Sequence, residues 1–246
     1  MRKCAFVPVG NSFYYAEGTP TMIKSFRLFH PDIDLVVFKQ DVVDKLFSEK
    51  KINWYNATPY FAELLFDDYD LIVKIDADHV ITGRLSEVFD NVDYDVAGPW
   101  NYNDYENASF DNITAEMYVQ GGFVASHRKD FWMRWQEMNT RSDSYIRREN
   151  DILNLLLYNT EPWKLKILDR DKDYYGCKSL NREAEFYIEN NKLMCRGEQV
   201  FAYHFAKGQI FPKLDFNNMP FTQEVKNWLY SLDGLGEGKS FKVSGL

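Results

Sequence analysis

Three apolar runs near the start of the chain, at residues 4–9, 35–38 and 71–75, limit its fold more than any other feature. Each is too short for a helix and apolar without alternation, the pattern of a strand covered on both faces. Stretches with helical spacing separate them. Thr19-Pro20 opens one, Met22, Ile23, Phe26 and Phe29 continue it, and His30-Pro31 stops it. Residues 41–47 and 59–66 read as two more helices. Strand and helix in alternation predict an α/β fold: a mixed, mainly parallel central sheet flanked by helices. Ligands of such sheets sit beyond the carboxyl ends of the strands. That rule points to Pro8, Val9, Gly10 and Asn11 after the first run, and to Asp76 and Asp78 after the third. No GxGxxG follows the first run and no GxxxxGK[ST] occurs, which argues against a dinucleotide site and a P-loop.

Further along, residues 94–97 and 118–126 read as strands, 131–138 as a short aromatic helix and 145–158 as a longer one. Residues 163–168 and 199–205 look like late strands, and 222–232 like a terminal helix before a Gly-rich end. The net charge of −8 excludes a protein that coats DNA or RNA, since phosphate binding wants a basic surface. Aromatic residues make up 17%, which reads either as a core rich in rings or as a site that stacks on bases and sugars; Trp100, Tyr102 and Tyr105 in a polar loop are the candidates for sugar stacking. Cys4, Cys177 and Cys195 are too few and too scattered for a disulfide framework or a zinc site. Their odd number fits a reducing compartment, and no run approaches the roughly 18 apolar residues of a membrane span. A soluble, cytoplasmic protein is expected.

The strongest local signal is the run from Tyr69 to Asp78. A buried strand delivers two aspartates, two residues apart, to the ligand edge of the sheet. Such hard oxygen ligands suit Mg²⁺ or Mn²⁺ shared with a diphosphate. A plain solvated Asp-x-Asp turn is the competing reading. Lys74 lies inside the same strand, where a lysine needs a partner; it either pairs with Asp76 or faces a bound donor.

Tyr69-Asp70, the apolar strand, Asp76-Ala77-Asp78 and the later Leu85 and Phe89 together resemble the core of GT-A nucleotide-sugar glycosyltransferases, family 8 in particular. The resemblance covers residues 1–212 as one transferase domain. Residues 213–246 fall outside it, as a C-terminal helix and a Gly-rich tail or linker that leaves room for further domains. It implies metal-dependent transfer of a sugar from a UDP-sugar to a carbohydrate acceptor. Asp76, Asp78 and His204 would hold Mn²⁺ or Mg²⁺, with Ala77 between the aspartates. Gln120 and Gly121 occupy the family's aromatic-x-Asn-(Ser/Ala)-Gly segment along the donor sugar, Gln120 replacing the Asn. Lys207 and Gly208 match, in reversed order, the glycine and lysine that hold the diphosphate; Phe211-Pro212-Lys213 stands in for the motif's ending. Residues 8–11 would line the nucleoside.

Residues 149–154 resemble the family's Asp-Gln-Asp-x-Leu-Asn, and also the acidic segment that supplies the base in inverting enzymes. Asp151 is then the candidate base and Glu149 the second. If the anomeric configuration is retained, as in family 8, no base is required and Asp151 positions the acceptor. Carboxylates at a helix start are also favoured by the helix dipole alone. Lys74 departs from the family, which has an aromatic or aliphatic residue there, and residues 59–63 lack the family's basic residue. Two other classes remain open: a nucleotidyltransferase, though residues 8–11 lack its basic loop, and a carbohydrate-binding protein without catalysis.

Overall fold

A computed structural model describes residues 1–8, 13–100, 112–145, 148–168, 175–176, 185–204 and 221–235. In chain order the elements begin β1 (Lys3–Pro8), α1 (Phe13–Phe29), β2 (Asp34–Phe38), α2 (Gln40–Lys50), α3 (Thr58–Glu63), β3 (Leu71–Ile75), β4 (His79–Ile81) and α4 (Ser86–Phe89). Next come β5 (Val96–Pro99), β6 (Phe123–Ser126), α5 (Lys129–Met138), α6 (Glu149–Asn159), β7 (Leu165–Leu168) and β8 (Tyr175–Gly176). The last are β9 (Phe186–Glu189), β10 (Lys192–Cys195), β11 (Glu198–Gln199), β12 (Ala202–His204) and α7 (Gln223–Leu235). Among the described residues no helix is long and apolar enough to cross a membrane.

Six strands form the central sheet in the order β2-β1-β3-β6-β5-β7. β6 alone runs antiparallel to its neighbours β3 and β5; the other pairs are parallel. This is the mixed, mainly parallel sheet expected from the three runs. The lack of alternation in those runs has its cause in two covered faces. Cys4, Phe6, Val36, Phe38 and Ile72 face one core layer with α2, α3, α5 and α6. Ala5, Val7, Leu35, Val37, Val73 and Ile75 face the other, with Phe26 of α1 and Leu85, Val88 and Phe89 at α4. A third cluster joins Val225, Trp228, Leu229 and Leu232 of α7 to Phe186, Leu193, Tyr203 and Val80, with Leu28 and Phe29 of α1 against it. The C-terminal helix is therefore packed on the same body as the sheet.

Several boundaries differ from the sequence reading. α1 starts at Phe13, before the Thr19-Pro20 signal. The strand expected over 118–126 shrinks to β6, because the segment before it is held by side chains instead of a ladder. The strand expected over 199–205 splits into β11 and β12. The β9–β10 hairpin has no counterpart among the expected elements. Its turn is Asn190-Asn191, both with positive φ (50° and 59°), and Arg196-Gly197 (50° and 84°) makes the next turn in the same way. These are the backbone conformations a two-residue hairpin demands, and Asn and Gly tolerate them best.

His30, at the end of α1, ties the two halves of one core layer. Its Nε2 accepts the Leu85 N–H at 2.9 Å, its Nδ1 lies 3.3 Å from the Phe26 carbonyl, and its ring stacks on Phe26. Burial pushes its pKa down to about 4, partly opposed by the Phe26 carbonyl. The folded state therefore resists a proton that the unfolded chain accepts near pH 6.5. Stability from this group is complete above that pH, falls as pH drops towards 4, and levels off below. The loss amounts to about 3 kcal/mol. Urea denaturation of the wild type and of His30→Gln should show a flatter pH profile for the variant between pH 6.5 and 4. Parallel profiles would refute the role.

Candidate active site

β3 ends at Ile75, but its pairing with β6 carries one step further: the Asp76 N–H donates to the Gly122 carbonyl at 2.8 Å. The His79 N–H then donates to the Asp76 carbonyl at 3.2 Å, reversing the chain into β4. β4 pairs antiparallel with β12, and the register sets His204 directly opposite His79. The two imidazoles stack, centroids 4.2 Å apart and planes within 8°. His204 Nε2 stands 3.1 Å from Asp78 Oδ1, and its Nδ1 meets the Gln120 amide nitrogen. Asp78 and His204 are far apart in sequence, and the β4–β12 register closes the gap between them at the carboxyl end of β3.

The charges around this point do not balance. Asp76, Asp78 and Glu149 face one lysine, Lys74, and one histidine, His204. Burial pushes the Asp76 and Glu149 carboxyls up, and Lys74 only partly opposes it. Burial would also raise Asp78, but the charge of His204 beside it holds it below the ordinary carboxylate value. Burial drives His79 well below its usual value, with the charge of His204 adding to it, so His79 is neutral. Apart from its ion pair with His204, Asp78 Oδ1 is buried without a hydrogen-bond partner, and so are His79 Nε2 and Gln120 Oε1. Asp78, His79 and His204 can each place one ligand atom within 4.8 Å of the others, an arrangement that could hold a metal ion. An imidazole lone pair lies in the ring plane, so two stacked rings cannot both aim at one ion. The 3.1 Å between Asp78 Oδ1 and His204 Nε2 suits adjacent ligands of an ion about 2.1 Å from each. His79 then serves as the plate that orients His204.

Lys74 shares its side of β3 with Ile72 and points towards the start of α6. Its Nζ donates to the Gly121 carbonyl at 2.5 Å and lies 2.8 Å from Asp76 Oδ1 and 3.8 Å from Glu149 Oε1. Thr58 Oγ1 donates to the same Glu149 oxygen. From α6, Asn150 Oδ1 accepts the Gly121 N–H at 2.8 Å. Asn154 accepts the Val119 N–H and donates to the Val119 carbonyl, both at 2.8 Å. Side-chain amides thus replace a strand partner for this segment.

Other candidates fall elsewhere. Asp151 is fully buried and accepts the Tyr118 hydroxyl at 2.7 Å. The Ala77 side chain is buried in the core layer of α1. Trp100 is half-buried, and its Nε1 donates to the Ala115 carbonyl. Pro8 ends β1 and is buried. Val9, Gly10, Asn11, Tyr102, Tyr105, Lys207 and Gly208 lie outside the described residues. His79 and Gly122 were missed: one owes its place to cross-strand register, the other to the absence of a side chain.

A Cβ on Gly122 would stand 2.8 Å from both Asp76 Oδ2 and Gln120 Nε2, and 3.1 Å from His204 Cε1. Lys74 and His204 hold those side chains in place, so Gly122→Ala should cost about 1–3 kcal/mol by urea denaturation. Unchanged stability would refute this convergence.

No protein-family model and no curated protein matches the chain. Solved structures do. The WbbM bifunctional glycosyltransferase aligns with a TM-score of 0.55 at 12% identity, over 94% of this chain and 49% of that one, so the chain spans about half its length. The galactosyltransferase LgtC, in complex with donor and acceptor sugar analogues, gives 0.58 at 13% identity over 94% and 95%. A glycosyltransferase involved in glycosylation of the major capsid of PBCV-1 gives 0.52 at 8% over 94% and 99%. The chain has the GT-A fold of these glycosyltransferases.

Proposed function

We propose that the chain transfers a sugar from a UDP-sugar to a carbohydrate acceptor with the help of a divalent cation. The observation that carries this reading is the pairing of half-buried Asp78 with buried His204, 3.1 Å apart, at the carboxyl end of the central strand of a GT-A fold. The surplus of half-buried carboxylates favours a cation there. A mixed oxygen and nitrogen donor set favours Mn²⁺ over Mg²⁺. When bound, the cation supplies neutralisation of the charge that grows on the departing diphosphate.

The chain's own residues do the rest. His79 keeps the His204 ring in one plane. With its amide turned so that Oε1 accepts the His204 Nδ1–H, Gln120 leaves the His204 Nε2 free for the cation, and its own NH2 is the proposed contact to the donor sugar. Lys207 and Gly208, close after His204 in sequence, are the proposed diphosphate contacts, and Pro8 with residues 9–11 the proposed nucleoside contacts. Glu149, not Asp151, faces the carboxylate cluster, where Lys74 and Thr58 fix it. Asp151 instead anchors Tyr118.

Thermal shift tests the first step. UDP with Mn²⁺ should stabilise the protein, by about 2.7 kcal/mol at a hundredfold excess over Kd. No shift would overturn the reading. Release of sugar from a UDP-sugar without acceptor would separate a transferase from a binding protein. Asp151→Asn keeps an acceptor for the Tyr118 hydroxyl, so its turnover should stay within about threefold of wild type. A loss of about 10²–10⁴-fold, the contribution of a general base, would restore Asp151 to that role.

A further inference from the structure

We infer that Lys74 is a built-in counter-ion that occupies Asp76 and leaves the divalent cation to Asp78 and His204. It is a positioning residue that sets how tightly the site holds its metal. The inference rests on the metal reading above.

Three observations carry it. Lys74 is 3% exposed, so its charge is committed inside the protein. Its ammonium has an acceptor or anion on each of three sides: Asp76 Oδ1 at 2.8 Å, the Gly121 carbonyl at 2.5 Å and Glu149 Oε1 at 3.8 Å. Two of its three donors are used on Asp76 and Gly121, and Glu149, beyond hydrogen-bond distance, adds a second negative charge beside it. Asp76, finally, falls outside the group whose ligand atoms lie within 4.8 Å of one another. A carboxylate that shares an oxygen with an ammonium is a weaker ligand, and the nearby positive charge repels a second cation.

Removing the ammonium should therefore strengthen metal binding, the reverse of what damage to a structural residue does. Lys74→Met keeps the unbranched shape. Mn²⁺ affinity, read by calorimetry and by the EPR signal of free Mn²⁺ without substrate, should rise at least about tenfold. Asp76→Asn alone should cost less than about threefold, but should cancel the gain in the Lys74→Met background, a non-additive pair. Affinity in Lys74→Met equal to or below wild type would overturn the inference. So would a loss of about a hundredfold in Asp76→Asn alone, which decides the matter even if Lys74→Met does not fold. Wild type that binds Mn²⁺ in an Asp78-dependent way while Lys74→Met is unchanged removes this inference and spares the metal site. Wild type that binds no Mn²⁺ removes both.

Discussion

The pairing of β3 with β6 is the seam on which the site hangs. β6 is the one antiparallel strand of the central sheet, so the residues just before it, Gly121 and Gly122, lie beside the end of β3. The Asp76 N–H reaches the Gly122 carbonyl, and Lys74 reaches the Gly121 carbonyl, across that seam. The backbone bond contributes about 1 kcal/mol net and the ammonium bond about 1.5–3 kcal/mol. Their greater effect is geometric, since they fix where the carboxylates of Asp76 and Asp78 begin. A parallel neighbour would have brought a strand end to this edge and no glycine pair.

Stability and chemistry are divided between different parts of the molecule. The two apolar layers on either side of the sheet bury large side chains such as Phe6, Phe61, Trp132 and Phe89. The polar cluster does the opposite, since taking several charges out of water costs more than their mutual attraction returns unless each is well paired. Asp76 and Glu149 share Lys74, and Asp78 has His204, yet buried polar atoms remain unpartnered. The surrounding core offsets the cost of such a cluster, which is placed where a ligand edge is expected.

The sheet was legible because unbroken apolar runs have one simple meaning, a strand covered on both faces. The Asp76 and Asp78 pair was legible because it is local and follows such a run. His79 was not, because its role comes from the register of β4 on β12, which no local pattern encodes. The helix at 149–154 was legible, but the direction of its carboxylates depends on helix phase. Residues two apart on a helix point about 200° from one another. Glu149 therefore faces Lys74 while Asp151 turns to Tyr118. The Asn190-Asn191 turn carried a usable hairpin signal.

Positions four apart on a helix share a face, and α6 uses that spacing to grip the segment ahead of β6. Asn150 holds Gly121, and Asn154 holds both backbone groups of Val119. From the other side, β3 holds Gly121 and Gly122 through Lys74 and Asp76. Gln120 lies between these two grips, and its own N–H is bonded to the Pro99 carbonyl. Its side chain consequently has little freedom and is aimed at His204. A side chain fixed before a ligand arrives, on rigid elements rather than a free loop, loses less freedom on binding. The side-chain amides of α6 supply that rigidity where a regular strand would have pointed alternate residues away from the site.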